Sequence, residues 1–226
     1  ITLSSHHPFN IEPRYSEIQL LQEHENTMFG GYIRSINYLD KCLEDFFEKM
    51  KKEGMYENTM FVIYGDHFGI ANYNDESADF VSELIGHKYN ERDMFNVPLL
   101  IHIPGIEKAE EKNVVAGHVD VLPTLLHLLG MENNKSIMMG NDLFSINENI
   151  VYEQTHVGVG SYIDKDTFYY VSSSGIDIYD KAIDAKTGQK VKITGDMLKK
   201  SAEAAQTIKD ARTILESNII LKNLSY

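Results

Sequence analysis

The stretch from Glu25 to Tyr64 sets the class of fold. Apolar side chains Phe29, Tyr32, Ile36, Leu39, Leu43, Phe46 and Met50 recur at alternating spacings of three and four. That spacing lines them up as one stripe along a helix. Arg34, Lys41, Glu44, Glu48 and Lys51 fall on other faces, and Gly54 stands where a helix wants a left-handed terminating residue. A helix is predicted over Glu25–Lys52. A few residues on, Thr59-Met60-Phe61-Val62-Ile63-Tyr64 is almost wholly apolar, the pattern of a strand buried on both faces. A long one-sided helix that hands over to a two-sided strand calls for a layered α/β core.

The rest of the first two-thirds of the chain continues that alternation. Ile1–Ser5 reads as an opening strand, followed by a loop from His6-His7-Pro8-Phe9. Asn96–Ile103 reads as a further strand, in which Pro98 fits only as the first residue or on an edge. Val114–Val119 is apolar enough for another strand. A helix then starts at Asp120, a candidate N-cap, with Pro123 in its first turn, leucines through Leu129 and Gly130 as its stop. Strands alternating with helices predict a largely parallel sheet.

Beyond residue 148 the texture changes. Ile150–Tyr152, Ser161–Ile163, Thr167–Val171 and Ile176–Tyr179 are short strand-like runs between turn signals, with another turn at Lys186-Thr187-Gly188-Gln189. Thr194–Leu221 reads as a closing helix, with Leu198, Ala205, Ile208, Ala211 and Leu215 on one side. Charge changes at the same place. Residues 149–226 carry 10 acidic and 10 basic side chains, so the whole net charge of −13 falls in 1–148, as do all five prolines. The predicted organisation is an α/β core over 1–148 and a small antiparallel sheet with a closing helix over 149–226.

Composition removes several functions. An excess of 34 acidic over 21 basic residues does not suit a nucleic-acid surface or a polybasic membrane patch. Cys42 is the single cysteine, which excludes an intrachain disulfide and a multi-cysteine zinc site. On an amphipathic helix it reads as a small core residue. No apolar run is long enough to span a bilayer. The chain opens on Ile1 with no initiator Met and no signal peptide, which reads as a piece of a longer protein.

The sharpest chemical feature is Tyr64-Gly65-Asp66-His67-Phe68-Gly69, a carboxylate and an imidazole just after a strand. Ligands of open α/β sheets gather at the carboxyl ends of strands. Adjacent strand residues point to opposite faces. Asp66 and His67 can therefore share one ion only if the strand has ended, and Gly65 and Gly69 permit such a turn. Carboxylate with imidazole suits Mn²⁺, Zn²⁺ or Fe better than Ca²⁺; a hydrogen-bonded structural pair fits the same spacing. A catalytic ion takes three or more protein ligands, and His6, His7, His118 and Asp120 are the candidates for the remainder. His6 follows the first expected strand and can reach the same sheet edge, although a lone histidine is ordinarily structural. Asp120 reads more simply as a cap.

Ser5-His6-His7-Pro8-Phe9, Tyr64–Gly69, Val97–Gly105 and His118–Leu126 occur in this order in one family. Together they resemble the C-terminal half of the extracellular catalytic domain of lipoteichoic acid synthases, the sulfatase-like phosphoglycerol transferases of Gram-positive bacteria. Ile214–Leu221 is similar to that family's last helix. The resemblance implies a sulfatase/alkaline-phosphatase-like sheet flanked by helices, partial in this chain, plus a small C-terminal antiparallel sheet. It implies one Mn²⁺, with Mg²⁺ or Zn²⁺ as alternatives, held in part by Asp66 and His67. His6 matches the substrate-contacting histidine, so it is the catalytic and substrate-binding candidate. The implied substrate is an anionic glycerophospholipid, phosphatidylglycerol, passed through a Thr-linked intermediate to growing polyglycerolphosphate on the outer face of the membrane.

The family's nucleophilic Thr, its remaining Glu ligand and an Arg on the phosphoglycerol have no counterpart in these 226 residues. The expectation is a partial active site, inactive alone, whose upstream half and membrane anchor lie outside the chain. A related sulfatase or phosphohydrolase shares the metal pair and the sheet. A non-catalytic module that binds glycerophosphate or a partner protein is the reading from a different class.

Overall fold

A computed structural model of the chain describes residues 2–72, 76–131 and 137–217. Its contacts divide into two compact units, Ile1–Glu110 and Glu111–Tyr226. The composition change at 148 falls inside the second of them.

In the first unit the long helix, α1, runs Met28–Lys52, a few residues shorter than its pattern suggests. The Thr27 hydroxyl defines its start by accepting the Gly30 N–H at 3.0 Å. Lys49, Lys51 and Lys52 complement the negative end of its dipole. Strand β1 is Phe61–Tyr64. Helices α2, Glu76–Ile85, and α3, Glu91–Phe95, follow, and α3 is closed by an Asn90/Asp93 capping box. Strand β2, Leu99–His102, starts one residue after Pro98, where a proline is tolerated. Phe61 and Tyr56 (ring centroids 5.4 Å apart), with Phe47 and His102, join α1 to this strand pair.

The pair is antiparallel, registering Phe61 with His102 and Tyr64 with Leu99. This corrects the parallel expectation. Two helices, α2 and α3, stand between the strands in a stretch for which no element was expected. Nor is β1 buried on both faces: Tyr64 is 49% exposed and Leu100, on β2, 60%. Among the described residues this sheet has two strands, so each has an open edge.

Two further expected strands are tight turns. Leu3–Ser5 is a 3-10 turn, because the Ser5 hydroxyl bonds Thr2 at its side chain and carbonyl, a local alternative to a ladder. Ile1 lies outside the described residues. Val114–Val119 ends in a 3-10 turn, His118–Asp120, which leads into α4, Val121–Leu128. Cys42 is exposed rather than in the core.

The second unit holds a five-stranded antiparallel meander in sequence order: β3 Val151–Glu153, β4 Ser161–Ile163, β5 Thr167–Tyr170, β6 Lys181–Asp184 and β7 Lys190–Val191. Ile176–Tyr179 is not a strand. It turns as a 3-10 segment over Asp177–Tyr179, and the more polar Lys181–Asp184 pairs instead. The closing helix α5 spans Gly195–Glu216, capped by the Thr194 hydroxyl. Residues 218–221 of the predicted helix lie outside the described residues. Ala204 is its buried contact, while Leu198 and Leu215 are exposed, so the apolar face is rotated from the expected one. Tyr162, Tyr169, Ala182 and Ala204 make the core, and the two tyrosine rings stack at 5.6 Å.

Candidate active site

The three sequence-predicted site residues lie in the first unit. The Gly65 N–H donates to the Pro98 carbonyl at 3.0 Å, just past the end of β1. The chain then leaves the sheet, so Asp66 and His67 are free of strand alternation, as sharing one ion requires. Neither Gly65 nor Gly69 has a φ in the left-handed region. Their glycines serve close approach instead. A Cβ on Gly65 would stand 2.8 Å from the Val97 Cβ, and one on Gly69 would stand 2.3 Å from Cε2 of Tyr32.

The loop carrying His6 is seated on the first turns of α1. Phe9 is buried and lies edge-on to Tyr32 at 5.2 Å, with its carbonyl 3.0 Å from where a Cβ on Gly31 would stand. The His7 ring instead packs against Phe9 at 5.7 Å. This brings the His6 and His67 rings to 6.1 Å between centroids, almost perpendicular.

Both rings have an assigned tautomer. His6 Nδ1 is 2.8 Å from the His7 carbonyl and His67 Nδ1 is 2.7 Å from the Phe68 carbonyl. A carbonyl can only accept, so each Nδ1 carries hydrogen and donates, which leaves Nε2 as the ring nitrogen available to a ligand. Asp66 Oδ1 accepts the His67 backbone N–H at 3.1 Å. Asp66, His67 and His6 are all exposed. A carboxylate beside an imidazole tied back through Nδ1 fits a borderline divalent ion such as Mn²⁺ or Zn²⁺. Among the described residues no group of three or more His, Cys, Asp or Glu side chains forms a cage. Asp66 and His67 are two candidate ligands, where a catalytic ion takes three or more.

Asp120 is otherwise employed. It is buried, its Oδ2 accepts the Gly117 N–H and the Asn149 amide, and its Oδ1 accepts the Asn141 N–H. It clasps a loop onto α4, the capping role that its place before the helix suggested. His118 lies in the second unit. Sequence reasoning missed Tyr32, whose ring reaches both site loops; the signal was the Gly30-Gly31 pair in a helix, which propensity alone disfavours.

The sulfatase family model matches residues 1–131, which contain His6, Asp66 and His67. The chain belongs to the sulfatase family. Among its sulfatase relatives, lipoteichoic acid synthase 1 of Bacillus subtilis is 30% identical over 97% of this chain and 32% of that protein. The lipoteichoic acid synthase of Staphylococcus saprophyticus is 32% identical over 97% and 32%. The crystal structure of the lipoteichoic acid synthase LtaP from Listeria monocytogenes superposes with a TM-score of 0.82 at 26% identity, over 95% of this chain and 52% of that one. An alkaline phosphatase superfamily protein from Vibrio parahaemolyticus shares the fold at a TM-score of 0.62 and 19% identity, over 94% and 48%. This sulfatase-family chain thus spans about a third of those curated relatives. It is a mixed α/β chain of the sulfatase family, related to lipoteichoic acid synthases. No helix among its described residues is long and apolar enough to cross a membrane.

Proposed function

We propose that this chain carries the metal-binding and phosphoryl-binding part of a phosphoglycerol transferase that builds polyglycerolphosphate from phosphatidylglycerol. Asp66 and His67 hold the ion, Mn²⁺ in this reading. The nucleophilic Thr and the remaining ligands come from sequence beyond these 226 residues, and the chain alone turns nothing over. The whole protein works on the outer face of the membrane, held there by segments other than those described.

The observation that carries this reading is the pairing of His6 with His67 at 6.1 Å, each ring tied back through Nδ1 so that Nε2 is presented. When bound, the ion supplies Lewis-acid charge to offset the phosphoryl oxygens and to acidify the attacking hydroxyl. Asp66 contributes anionic charge and His67 a neutral donor. His6, a few ångströms away, binds a phosphoryl oxygen when protonated and gives its Nε2 proton to the departing diacylglycerol oxygen as the P–O bond to it breaks.

The test uses the full-length protein. Asp66→Ala removes bound metal and turnover together. His6→Ala lowers diacylglycerol release from phosphatidylglycerol by roughly 10²–10⁴-fold while metal content stays at the wild-type level. Wild-type turnover in His6→Ala, or full metal occupancy in Asp66→Ala, overturns the assignment.

A further inference from the structure

We infer that Tyr32 is a positioning residue, the spacer that sets how far His6 stands from His67; the inference rests on the reading of those two histidines given above. Tyr32 sits one turn into α1, the longest helix of the unit. One edge of its ring meets Phe9 at 5.2 Å and 72°, three residues from His6. Its Cε2, Cζ and Oη press on the backbone of Gly69, two residues from His67, so closely that a Cβ there would fall 2.3, 2.7 and 2.8 Å from them. One rigid ring therefore touches both loops.

Each loop is also held against that ring. The Tyr89 hydroxyl donates to the carbonyl of buried Ile70 at 2.7 Å, which fixes the segment just after Gly69. Gly31 lets the Phe9 carbonyl come within 3.0 Å of its missing Cβ, which seats the His6 loop on the helix. Burial raises the pKa of the Tyr32 hydroxyl, in keeping with a packed wedge rather than a solvated acid. Deleting the ring removes the stop between the loops and lets the two histidines change separation. A displacement of about 1 Å at a reacting geometry can cost about 10²-fold in rate.

In the full-length enzyme, Tyr32→Ala and Tyr32→Leu are expected to lower kcat on phosphatidylglycerol by about 10²-fold, with KM and metal content near wild type. Tyr32→Phe, which keeps the ring, restores most of the rate. Gly69→Ala, which drives a methyl into the ring, repeats the loss. The decisive comparison is a double-mutant cycle. In a His6→Ala background, Tyr32→Ala costs little more, because the spacer has nothing left to position. Multiplying losses overturn the inference, as does a Tyr32→Leu enzyme at wild-type kcat. A His6→Ala enzyme with wild-type turnover sinks the functional reading instead.

A second readout needs no turnover. In the 226-residue chain the His6 ring proton resonances lie under the ring current of His67, so His67→Ala shifts them. With Tyr32→Leu in place that response is expected to vanish. An undiminished response means that Tyr32 does not set the spacing.

Discussion

Removing the Asp120 carboxylate is predicted to cost the second unit a large part of its stability. Asp120 is 1% exposed and accepts from Gly117 N at 2.8 Å, Asn141 N at 2.7 Å and Asn149 Nδ2 at 2.9 Å. Asp120→Ala takes the acceptor away from three donors, two of them backbone N–H groups with no freedom to turn elsewhere. An unsatisfied buried donor costs about 1–3 kcal/mol. Water entering the new space recovers part of that, which leaves an expected loss of about 3–5 kcal/mol, at the upper end for a point substitution. Asp120→Asn keeps one carbonyl oxygen but turns an amide toward the donors, so it recovers little. Urea unfolding followed by circular dichroism gives the midpoint and the slope. A midpoint shift worth less than about 1 kcal/mol at unchanged slope refutes the clasp. Chelation supplies a control, because a clasp predicts that EDTA shifts wild type and Asp120→Ala by the same amount.

Burial pushes the Tyr162 and Tyr89 hydroxyls up to about 12. Unfolded tyrosine ionises near pH 10, so between about pH 10 and 12 the unfolded chain binds fewer protons and stability falls as pH rises. The Asp164 hydrogen bond raises Lys200 in the same sense, a contribution complete below the unfolded lysine pKa and lost above it. Thermal melts across that range, read beside tyrosinate absorbance, check this; a flat profile would refute it. The Tyr162 hydroxyl is buried with no hydrogen-bond partner among the described residues. Tyr162→Phe is therefore expected to stabilise the fold by about 1 kcal/mol and to shallow the alkaline slope. Gly30→Ala sets helix propensity against packing. Propensity favours Ala by about 1 kcal/mol, yet the new Cβ would stand 2.0 Å from the His24 carbonyl oxygen. A backbone carbonyl cannot yield that far, so denaturant unfolding should show a net loss of about 1–3 kcal/mol.

Periodicity located what periodicity can specify. The stripe of α1 carries a 3.6-residue signal, and α1, β3, β4 and β5 lie within a few residues of where the pattern put them, while β6 and β7 were not expected. The helices α2 and α3 escaped because Glu76–Ile85 and Glu91–Phe95 are short and mixed, and α3 depends on its Asn90/Asp93 box. Missing them also cost the strand direction, since parity of reversals decides whether neighbouring strands run alike. Ile176–Tyr179 has strand-like composition but turns. The Asp180 carboxylate takes the Ser172 N–H at 2.9 Å, and that bond across the loop closes it as a turn. The Asp66-His67 pair was legible because a strand-end motif is local. The expectation that His6 reaches the same edge rested on an opening strand that is instead a 3-10 turn, which left the family resemblance as its support.

What joins those distant residues is written in a place that looks like a defect. Two adjacent glycines in the first turns of α1 weaken the helix by about 1 kcal/mol each relative to alanine. Packing accounts for both. Gly30 makes room for the His24 carbonyl and Gly31 for that of Phe9. Phe9 itself takes a φ of 57°, a strained value for a bulky residue. Helix strength and backbone comfort are both given up where the His6 loop crosses the helix, and the next residue is Tyr32, which reaches across to Gly69. In the spacer reading proposed above, the separation of His6 from the Asp66-His67 pair depends on Gly30, Gly31, Tyr32 and Gly69, through the close approaches they make. A relative that kept Asp66 and His67 while losing these four would hold the same ligands at a different distance from His6, and its chemistry would change without any change in its motif.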